Sequence, residues 1–147
     1  MKCYADLDNG LYFGSWHSTN HKILEELKIN DVFYITIDPT PLKDNVNYHD
    51  IYFEDNIQNA DKLFYEILPN LLEEINNLIT NQKKVLICCS MGRSRSATIA
   101  TSYLMKYNNM NLEEALTFIK ERRNININNG FMDKLKEFRL MREPLRN

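Results

Sequence analysis

The sequence predicts an α/β layer fold in which helices cover both faces of a central sheet. Short apolar, β-branched runs alternate along the chain with longer segments whose apolar residues keep helical spacing. One of the short runs, residues 85–88, is apolar throughout, as is typical of a strand that is buried on both faces. The 147 residues include no recognisable linker and only four Gly and four Pro, so we expect a single domain over residues 1–147.

Four segments have the character of strands. Residues 11–14 form a short apolar run that ends at a glycine turn. Residues 32–37 form a β-branched and aromatic run, and the breaker Asp-Pro-Thr-Pro at 38–41 closes it. Residues 51–53 are a weaker candidate and lead into a polar stretch. Together with residues 85–88, these segments supply the strands of the predicted sheet.

Two helical segments are predicted in the first half of the chain. Ser18 is a candidate N-cap for a short helix. The apolar face of that helix consists of Ile23, Leu24 and Leu27. Residues 61–79 hold apolar side chains at helical spacing, but Pro69 interrupts the pattern. We therefore expect a kink or two abutting helices at this point.

Three further helices are expected after the run at 85–88. Residues 97–107 have helical character. Asn111, with Glu114 three positions later, resembles a capping box that opens a helix through Arg123. A last helix is expected over residues 131–141. These helices complete the alternation of strands and helices along the chain.

The composition is that of a soluble globular protein. Apolar residues make up 44% and charged residues 26% of the chain, which excludes a disordered tail, a collagen-like fibre and a disulfide scaffold. No apolar run approaches the roughly 20 residues that a membrane-spanning helix needs. The N-terminus lacks the apolar core of a signal peptide. With three cysteines, an odd number, we expect a soluble protein of the reducing cytoplasm.

Charge is distributed unevenly, although the net charge is only −2. Residues 1–82 contain five Lys, no Arg and 14 acidic residues, for a net charge of −9. Residues 83–147 contain six Lys, seven Arg and six acidic residues, for a net charge of +7. The basic half indicates an anionic partner. The alternative is that both halves interleave in one fold, so that the surface charge averages out.

One segment of the sequence points to chemistry, and it reads Cys89-Ser90-Met91-Gly92-Arg93-Ser94-Arg95-Ser96. A buried strand delivers Cys89, a short loop with one glycine follows, and a helix is expected to begin near Arg95. Such a loop can direct consecutive backbone N–H groups inward, with a helix N-terminus behind them, and so build a socket for a tetrahedral dianion. Arg95 can return over the socket and bind two phosphate oxygens.

The same socket predicts a reactive cysteine. The inward N–H groups, the helix dipole and the guanidinium all favour the thiolate of Cys89, which is the nucleophilic form. Residues 90–94 then form the phosphate-binding loop. The alternative is that Cys88 and Cys89 are small buried hydrophobic residues beside a surface arginine. That alternative fits poorly with two Arg and three Ser packed around one Gly.

On these residues the sequence resembles the dual-specificity branch of the cysteine-dependent protein tyrosine phosphatase superfamily, in its small, catalytic-domain-only form. Cys89, Arg95 and Ser96 stand as in the family's Cys-x5-Arg-Ser/Thr signature. The similarity extends over about residues 10–142, and residues 128–131 resemble the turn that opens the family's last helix. The resemblance implies a mixed sheet of about five strands flanked by helices, with the signature loop between a strand and a helix.

The resemblance also implies an activity. We expect a phosphatase that hydrolyses phosphotyrosine and phosphoserine/threonine in proteins through a phosphocysteine intermediate. In the family pattern Cys89 is the nucleophile, Arg95 binds the phosphate, and Ser96 donates a hydrogen bond to the departing thiolate. The loop residues Ser90, Met91, Gly92, Arg93 and Ser94 bind the phosphate group.

Displacement of a phosphate ester also needs an acid for the leaving oxygen. The family uses an Asp on a mobile loop that precedes the cysteine. Asp55, 34 positions before Cys89, is the best match in this sequence. Glu54 or Asp50 is the alternative acid, and the alternative role for Asp55 is an ordinary loop carboxylate or helix cap.

Several features depart from the family pattern, among them the absence of the prolines that are common before the last helix. The His that usually precedes the nucleophile is Cys88 here, and the Asn in the strand after the first helix is Tyr34. A thiol is a weak donor, so we expect slower turnover than in a relative with His, or at the extreme a phosphate-binding module of low activity. Adjacent Cys88 and Cys89 can also form an oxidised pair as a reversible off-state, although its ring is strained.

Arg93 leaves the substrate class open. Some lipid-directed relatives have a Gly-Arg-Ser-Arg-Ser run much like residues 92–96. An extra cation there can meet a second phosphate, as on a phosphoinositide or phosphatidylglycerophosphate. The alternative is a solvated Arg93 at the rim of a protein phosphatase. We therefore expect a phosphoprotein substrate, with an anionic lipid as the second candidate.

The sequence predicts no metal and no other cofactor. His17 and His21 are four positions apart, but no Cys, Asp or Glu completes a ligand pattern near them, and both are read as surface residues. Nucleic acid is not an expected partner, because no basic stripe interleaved with aromatic residues is present. Arg122 and Arg123 can form a small basic patch but are more typical of a solvated helix end.

Overall fold

The computed structural model of the chain describes residues 2–35 and 45–142. Within them, the central sheet has five strands, which are β1 (Tyr4–Asp6), β2 (Leu11–Ser15), β3 (Asp31–Ile35), β4 (Asn47–Asp50) and β5 (Val85–Cys89). Their order across the sheet is β1-β2-β5-β3-β4. β1 runs antiparallel to β2, and the other neighbours are parallel. The prediction of a mixed sheet of about five strands is confirmed.

Helices cover both faces of this sheet, as the sequence predicts. They are α1 (His21–Leu27), α2 (Leu68–Thr80), α3 (Arg95–Tyr107), α4 (Leu112–Lys120) and α5 (Asn129–Arg142). α1 packs on a small apolar cluster on one face, whereas the other four helices surround the main core on the opposite face. Among the described residues, no helix combines the length and the apolar character that crossing a membrane requires.

The central strand β5 directs its side chains alternately to the two faces. Val85, Ile87 and Cys89 join the main core, whereas Leu86 and Cys88 join the cluster beneath α1. β5 lies between β2 and β3, and its last residue pairs with the last residue of each. Because the carboxyl ends of three parallel strands meet there, Cys89 lies at the edge where open α/β sheets bind ligands.

The strands at 11–14, 32–37 and 85–88 are confirmed as β2, β3 and β5. Residues 36–41, which include the end of the second predicted strand and its breaker, lie outside the described residues. β1 was not predicted, because its three residues, Tyr-Ala-Asp, are too few to show a period.

The strand predicted at 51–53 is wrong. β4 ends at Asp50, and the Ile51 amide makes one more bond to the Tyr34 carbonyl at 3.1 Å before the chain leaves the sheet. Phe53 is then fully buried in the main core. The sequence of β4, Asn-Tyr-His-Asp, has no apolar alternation, because this edge strand has partly exposed side chains.

The N-cap predicted at Ser18 is also wrong. Ser18 lies in a 3₁₀ turn, Trp16–Thr19, where its hydroxyl donates to the Ser15 carbonyl. Asn20 caps α1 instead, because its side chain accepts an N–H from the first turn at 2.7 Å. Of the predicted apolar face of this helix, Leu24 is buried in the small cluster.

Pro69 divides the long helical segment, as predicted. A π-helical turn over Lys62–Ile67 leads into α2, whose first turn contains Pro69, where its missing N–H costs no helical bond. The capping box of α4 is confirmed, since Asn111 and Glu114 exchange side-chain-to-backbone bonds of 2.8 and 2.9 Å. α4 ends three residues before its predicted end.

Candidate active site

The loop between β5 and α3, residues 90–94, is held by four hydrogen bonds from outside it. The Trp16 amide donates to the Ser90 carbonyl at 3.4 Å, and the Asn126 amide donates to the Arg93 carbonyl at 2.8 Å. The Arg123 guanidinium donates to the carbonyls of Met91 at 2.8 Å and Gly92 at 2.9 Å. In a trans peptide unit the N–H points away from the C=O. Because these carbonyls face outward, the N–H groups of residues 91–94 face the inside of the loop.

Gly92 is required for this conformation. Its φ is +66°, in the left-handed region that side chains disfavour. A Cβ at this position would lie 2.4 Å from the carbonyl carbon of Gly14 and 2.5 Å from the Ser15 nitrogen. The loop therefore packs directly on the backbone at the end of β2, and only glycine leaves room for that contact.

Cys89 is buried where β5 meets the loop. The Gly92 N–H donates to Cys89 Sγ at 3.3 Å, and the Ser96 hydroxyl lies 3.3 Å from the same sulfur. α3 begins at Arg95, so a helix N-terminus follows the loop directly. An N–H, a hydroxyl and a helix N-terminus all stabilise negative charge on sulfur. The arrangement can therefore support a thiolate nucleophile.

Arg95 is half-buried and reaches from α3 toward the segment after β4. Its Nη1 donates to the Phe53 carbonyl at 3.4 Å, at the long limit for a hydrogen bond. Within the described chain the guanidinium has no carboxylate partner, so its remaining N–H groups can bind an oxyanion. Near it, the hydrogen bond from Tyr52 to the Glu54 carboxylate raises the pKa of Tyr52.

The structure brings Asp55 to the loop, although the two are far apart in sequence. Asp55 Oδ1 accepts the Ser94 hydroxyl at 2.6 Å and the Asn128 side-chain amide at 2.7 Å. The alternative acids are placed differently. Glu54 binds Tyr52 and a neighbouring amide on its own segment, and Asp50 is the exposed last residue of β4.

The remaining loop side chains differ in exposure. Ser94 is buried, and its hydroxyl is the one that binds Asp55. Ser90, Met91 and Arg93 are exposed. The Arg93 carbonyl accepts the Asn126 amide, and the exposed side chain of Arg93 stands at the rim of the loop. This position is compatible with either of the two roles that the sequence leaves open for it.

Cys88 lies on the opposite face of β5 from Cys89. It is fully buried in the cluster beneath α1 and pairs in the sheet with Gly14 and Tyr34. Burial raises the pKa of the Cys88 thiol well above its ordinary value, and the neighbouring Cys89 adds to the effect. Because the two sulfurs lie on opposite faces of β5, a disulfide between them requires this strand to distort in the middle of the sheet.

Sequence reasoning missed two residues of this site. Arg123 was assigned to a solvated helix end, but it is buried, and burial lowers the pKa of its guanidinium. Asn128 was noticed only as part of a turn. Arg122, by contrast, is half-exposed and pairs with Asp8 at 2.8 Å. Nothing in the local sequence distinguishes the two arginines. Their difference in burial arises because α4 ends at Lys120, and the chain beyond it directs Arg123 to the loop and Arg122 to Asp8.

No metal centre is found among the described residues, in which no group of three His, Cys, Asp or Glu side chains converges. His17 is exposed and stacks on Trp16 at 4.1 Å between ring centroids. His21 is also exposed, at the start of α1. Neither histidine belongs to a group of three potential metal ligands in the part of the chain that the structure describes.

Residues 11–141 match the family model described as "Dual specificity phosphatase, catalytic domain". Dual specificity protein phosphatase MPK-4 of Drosophila melanogaster is 31% identical over 141 residues, which cover 92% of this chain and 36% of that protein. Human dual specificity protein phosphatase 1 is 32% identical over 131 residues, which cover 87% of this chain and 35% of that protein. The chain thus spans about a third of the length of these curated relatives.

Two solved structures illustrate the shared fold. The crystal structure of DUSP15 has a TM-score of 0.85 and 27% sequence identity, and the match covers 97% of this chain and 92% of that chain. The crystal structure of PTPMT1 in complex with PI(5)P has a TM-score of 0.75 and 19% identity, with 99% and 100% covered. At 19% identity the second match speaks for the fold alone.

Proposed function

The chain belongs to the dual specificity phosphatase family, and on this basis we propose that it hydrolyses phosphotyrosine and phosphoserine/threonine in proteins. One observation carries the proposal. Cys89 Sγ accepts an N–H from the loop whose amides face inward, and Asp55 is bound to the same loop through Ser94. These contacts support the proposal, because they bring a candidate nucleophile, a candidate oxyanion site and a candidate acid to one loop, as phosphoryl transfer to a cysteine needs.

Substrate binding is the first part of the proposed mechanism. The N–H groups of residues 91–94 and the Arg95 guanidinium donate to the oxygens of the phosphate dianion. The four outward bonds to the loop carbonyls hold these N–H groups in place before substrate arrives. Donors that are already oriented need no reorganisation when charge develops in the transition state.

In the first chemical step, the Cys89 thiolate attacks phosphorus. The S–P bond forms as the bond between phosphorus and the leaving oxygen breaks, and that oxygen takes a proton from Asp55. Both hydrogen bonds to Asp55 fall on Oδ1. The proton is therefore assigned to Oδ2, which has no hydrogen-bond donor among the described residues.

In the second step, water hydrolyses the phosphocysteine. The Asp55 carboxylate takes a proton from the attacking water, and the S–P bond breaks to release inorganic phosphate. Sulfur leaves as the thiolate. The Ser96 hydroxyl, 3.3 Å from Sγ, donates to this thiolate and lowers the barrier to its departure.

Protein is the proposed substrate class, because the relatives above 30% identity are protein phosphatases by name. A lipid phosphatase acting on a phosphoinositide or phosphatidylglycerophosphate is the second candidate. This candidate is retained because the exposed side chain of Arg93 lies within the loop, where it can meet a second phosphate. PTPMT1, whose crystal structure in complex with PI(5)P shares the fold, shows that this fold can hold such a lipid. A phosphate-binding module of low activity is the third candidate, because Cys88 replaces the usual His.

The proposal includes a cytoplasmic location and a reaction without metal. A nucleophilic thiol works only where it stays reduced, and Cys3, Cys88 and Cys89 are all free thiols. The loop amides and Arg95 supply the positive charge that a metal would otherwise provide. Phosphoproteins are the proposed partners, with anionic lipid as the alternative, and no nucleic acid is included.

The proposal is tested by hydrolysis of a small aryl phosphate, without added metal, by the wild type and by Cys89→Ser. We expect turnover by the wild type, inhibition by orthovanadate, and no turnover by the folded variant. A folded wild type that binds vanadate without turning over substrate would support the binding module instead.

The substrate class is tested with a phosphopeptide and with vesicles that contain a phosphoinositide, using the wild type and Arg93→Ala. We expect the phosphopeptide to be the better substrate and the variant to retain its hydrolysis. Faster hydrolysis of the vesicles, lost selectively in Arg93→Ala, would establish the lipid phosphatase.

A further inference from the structure

Arg123 is a buried cation, and among the described residues its guanidinium binds only backbone carbonyls. The residue is 9% exposed. Its Nε and Nη2 donate to the carbonyls of Gly92 and Met91 at 2.9 and 2.8 Å, and its Nη1 donates to the carbonyl of Lys2 at 2.8 Å. In the described parts of the chain no carboxylate pairs with it. A buried charge without an anion is costly.

Burial and the neighbouring ionisable groups act on the pKa of Arg123 in opposite directions. Burial lowers the pKa of Arg123, and the nearby Arg93 lowers it further, whereas Cys3 and Cys89 raise it. Of the two sulfurs that favour its charged form, Cys3 has the larger effect, and Cys89 is the one that belongs to the proposed site. A thiolate at Cys89, or a phosphate bound above it, supplies the negative charge that the buried guanidinium lacks.

Two peptide units connect Arg123 to the inside of the loop. In the unit between Met91 and Gly92, the C=O binds Arg123 Nη2 and the N–H, on the opposite side, donates to Cys89 Sγ. In the unit between Gly92 and Arg93, the C=O binds Arg123 Nε, so the Arg93 N–H is turned toward the inside of the loop. One side chain therefore fixes the direction of two donors of the site.

We propose that Arg123 is a positioning residue for the phosphatase reaction. It holds the Gly92 and Arg93 amides toward the Cys89 sulfur and the transferring phosphoryl group, and its buried charge favours both anions. Through the Lys2 carbonyl it also joins the start of the described chain to the loop. This inference rests on the proposed function, because it assigns a role within that reaction.

Arg122 offers a matched control for Arg123. The two residues are adjacent, but Arg122 donates to the Asp6 carbonyl at 3.1 Å and to the Asp8 carboxylate at 2.8 Å. Its guanidinium also stacks on the Phe118 ring at 3.5 Å. Its hydrogen bonds and ion pairs within the described residues do not include the loop, so its removal tests the general effect of losing an arginine at this position.

The test compares Arg123→Met, Arg123→Lys and Arg122→Met in hydrolysis of a small aryl phosphate and in calorimetric binding of orthovanadate. Loss of an oriented oxyanion donor reduces rates by about 100-fold, so we expect a fall of that order in kcat/KM for Arg123→Met. We expect its vanadate affinity to fall by roughly 10-fold. Arg123→Lys should recover part of the kcat/KM and part of the vanadate affinity. Arg122→Met should stay within about twofold of the wild type in both quantities.

The binding measurement separates a positioning role from a structural one. If Arg123 only stabilised the fold, its variants would lower the amount of folded protein and leave the vanadate affinity of the folded fraction unchanged, which overturns the proposal. If Arg123→Met does not fold, an Arg123→Lys variant with wild-type rate and affinity overturns it equally. A wild type that binds vanadate through Arg123 without turnover refutes the proposed function and leaves the positioning of the loop supported.

Discussion

The Asn128 side-chain amide donates a 2.7 Å hydrogen bond to Oδ1 of Asp55, across 73 residues of sequence. The same oxygen accepts the Ser94 hydroxyl, which in turn accepts the Asn128 backbone N–H at 3.2 Å. The side-chain oxygen of Asn128 accepts the Phe131 N–H at 2.9 Å. Both ends of the Asn128 amide are thus engaged, and the proposed acid is held between the phosphate loop and the start of α5.

Replacing Asn128 with Ala is predicted to impair the acid step selectively. Without the amide, Asp55 keeps only its bond to Ser94 and is held less firmly at the leaving oxygen. A poor leaving group such as phenol depends on that proton, whereas nitrophenol depends on it little. We expect kcat for phenyl phosphate to fall about 10-fold, within the contribution of an acid catalyst, and kcat for nitrophenyl phosphate to fall less.

Asn126→Ala is the control for this variant, because the exposed Asn126 binds the loop through its backbone N–H, which the substitution keeps. This control should leave kcat unchanged for both phenyl phosphate and nitrophenyl phosphate. Loss of the Asn128 bond to Phe131 is expected to cost about 1 kcal/mol of stability, which thermal unfolding measures separately. Equal losses for both leaving groups would show that Asn128 serves the fold and not the acid.

Gly92→Ala is predicted to destroy the phosphate site. The new Cβ would overlap the backbone at the Gly14–Ser15 peptide, and φ of +66° would add strain. Gly10→Ala is the matched control, because Gly10 also has a positive φ, +91°, but its nearest contact is the Lys83 carbonyl at 3.5 Å. We expect Gly10→Ala to cost about 1 kcal/mol in denaturant unfolding and to keep activity.

For Gly92→Ala we expect loss of both vanadate binding and aryl phosphate hydrolysis. Backbone overlap cannot be relieved by a side-chain rotation, so the loop must move away from β2 and its amides lose their common direction. A folded Gly92→Ala protein with wild-type vanadate affinity would contradict this account of the loop.

The layers of the fold and the signature loop were predictable because they depend on local patterns. Local patterns of this kind are the apolar runs of β2 and β5, the capping box and Pro69. Each acts over a few residues, where hydrophobic periodicity and secondary-structure propensity are decisive. β4 was not predictable, because a polar edge strand is specified by its neighbour β3 and not by its own residues. Asn20 and not Ser18 caps α1, because Ser18 lies inside the 3₁₀ turn that precedes the helix, and the local sequence does not predict that turn.

The parts of the site that lay beyond the sequence are contacts between distant segments. Asp55 was identified through the resemblance, but its binding to Ser94 and Asn128 brings together three segments that no spacing rule connects. Arg123 was read as solvated because two adjacent arginines at a helix end usually are. Its burial follows from the packing of the loop and the first described residues around it.

Ser96→Ala is predicted to slow breakdown of the phosphocysteine more than its formation. The hydroxyl lies 3.3 Å from Cys89 Sγ and stabilises the thiolate that leaves in the second step. Loss of one such donor costs roughly 100-fold in the step it serves. We expect a burst of the released phenol followed by slow turnover, with phosphoenzyme trapped by rapid acid quench.

Ser102→Ala is the control, because Ser102 is a buried residue of the same helix whose hydroxyl donates to the Thr98 carbonyl and not to Cys89. It should show no burst and near wild-type turnover. A Ser96→Ala protein whose burst phase slows as much as its steady state would refute a role confined to the second step.

The two adjacent cysteines are predicted to differ sharply in reactivity. Alkylation needs an accessible thiolate. Cys88 is fully buried beneath α1, and burial raises the pKa of its thiol well above the ordinary value, so it stays protonated and shielded at neutral pH. Cys89 faces the loop and its inward amides. With iodoacetate, we expect mass spectrometry to find Cys89 modified at least roughly tenfold faster than Cys88.

Orthovanadate should protect Cys89 from iodoacetate, because both occupy the loop, and denaturation should expose all three cysteines to modification. Mild peroxide should oxidise Cys89 without producing a Cys88–Cys89 disulfide, since strand alternation points the two sulfurs to opposite faces of β5. A vicinal disulfide in the folded protein would mean that β5 opens at its carboxyl end. Opening of that strand would also break the register that holds Cys89 beneath the loop.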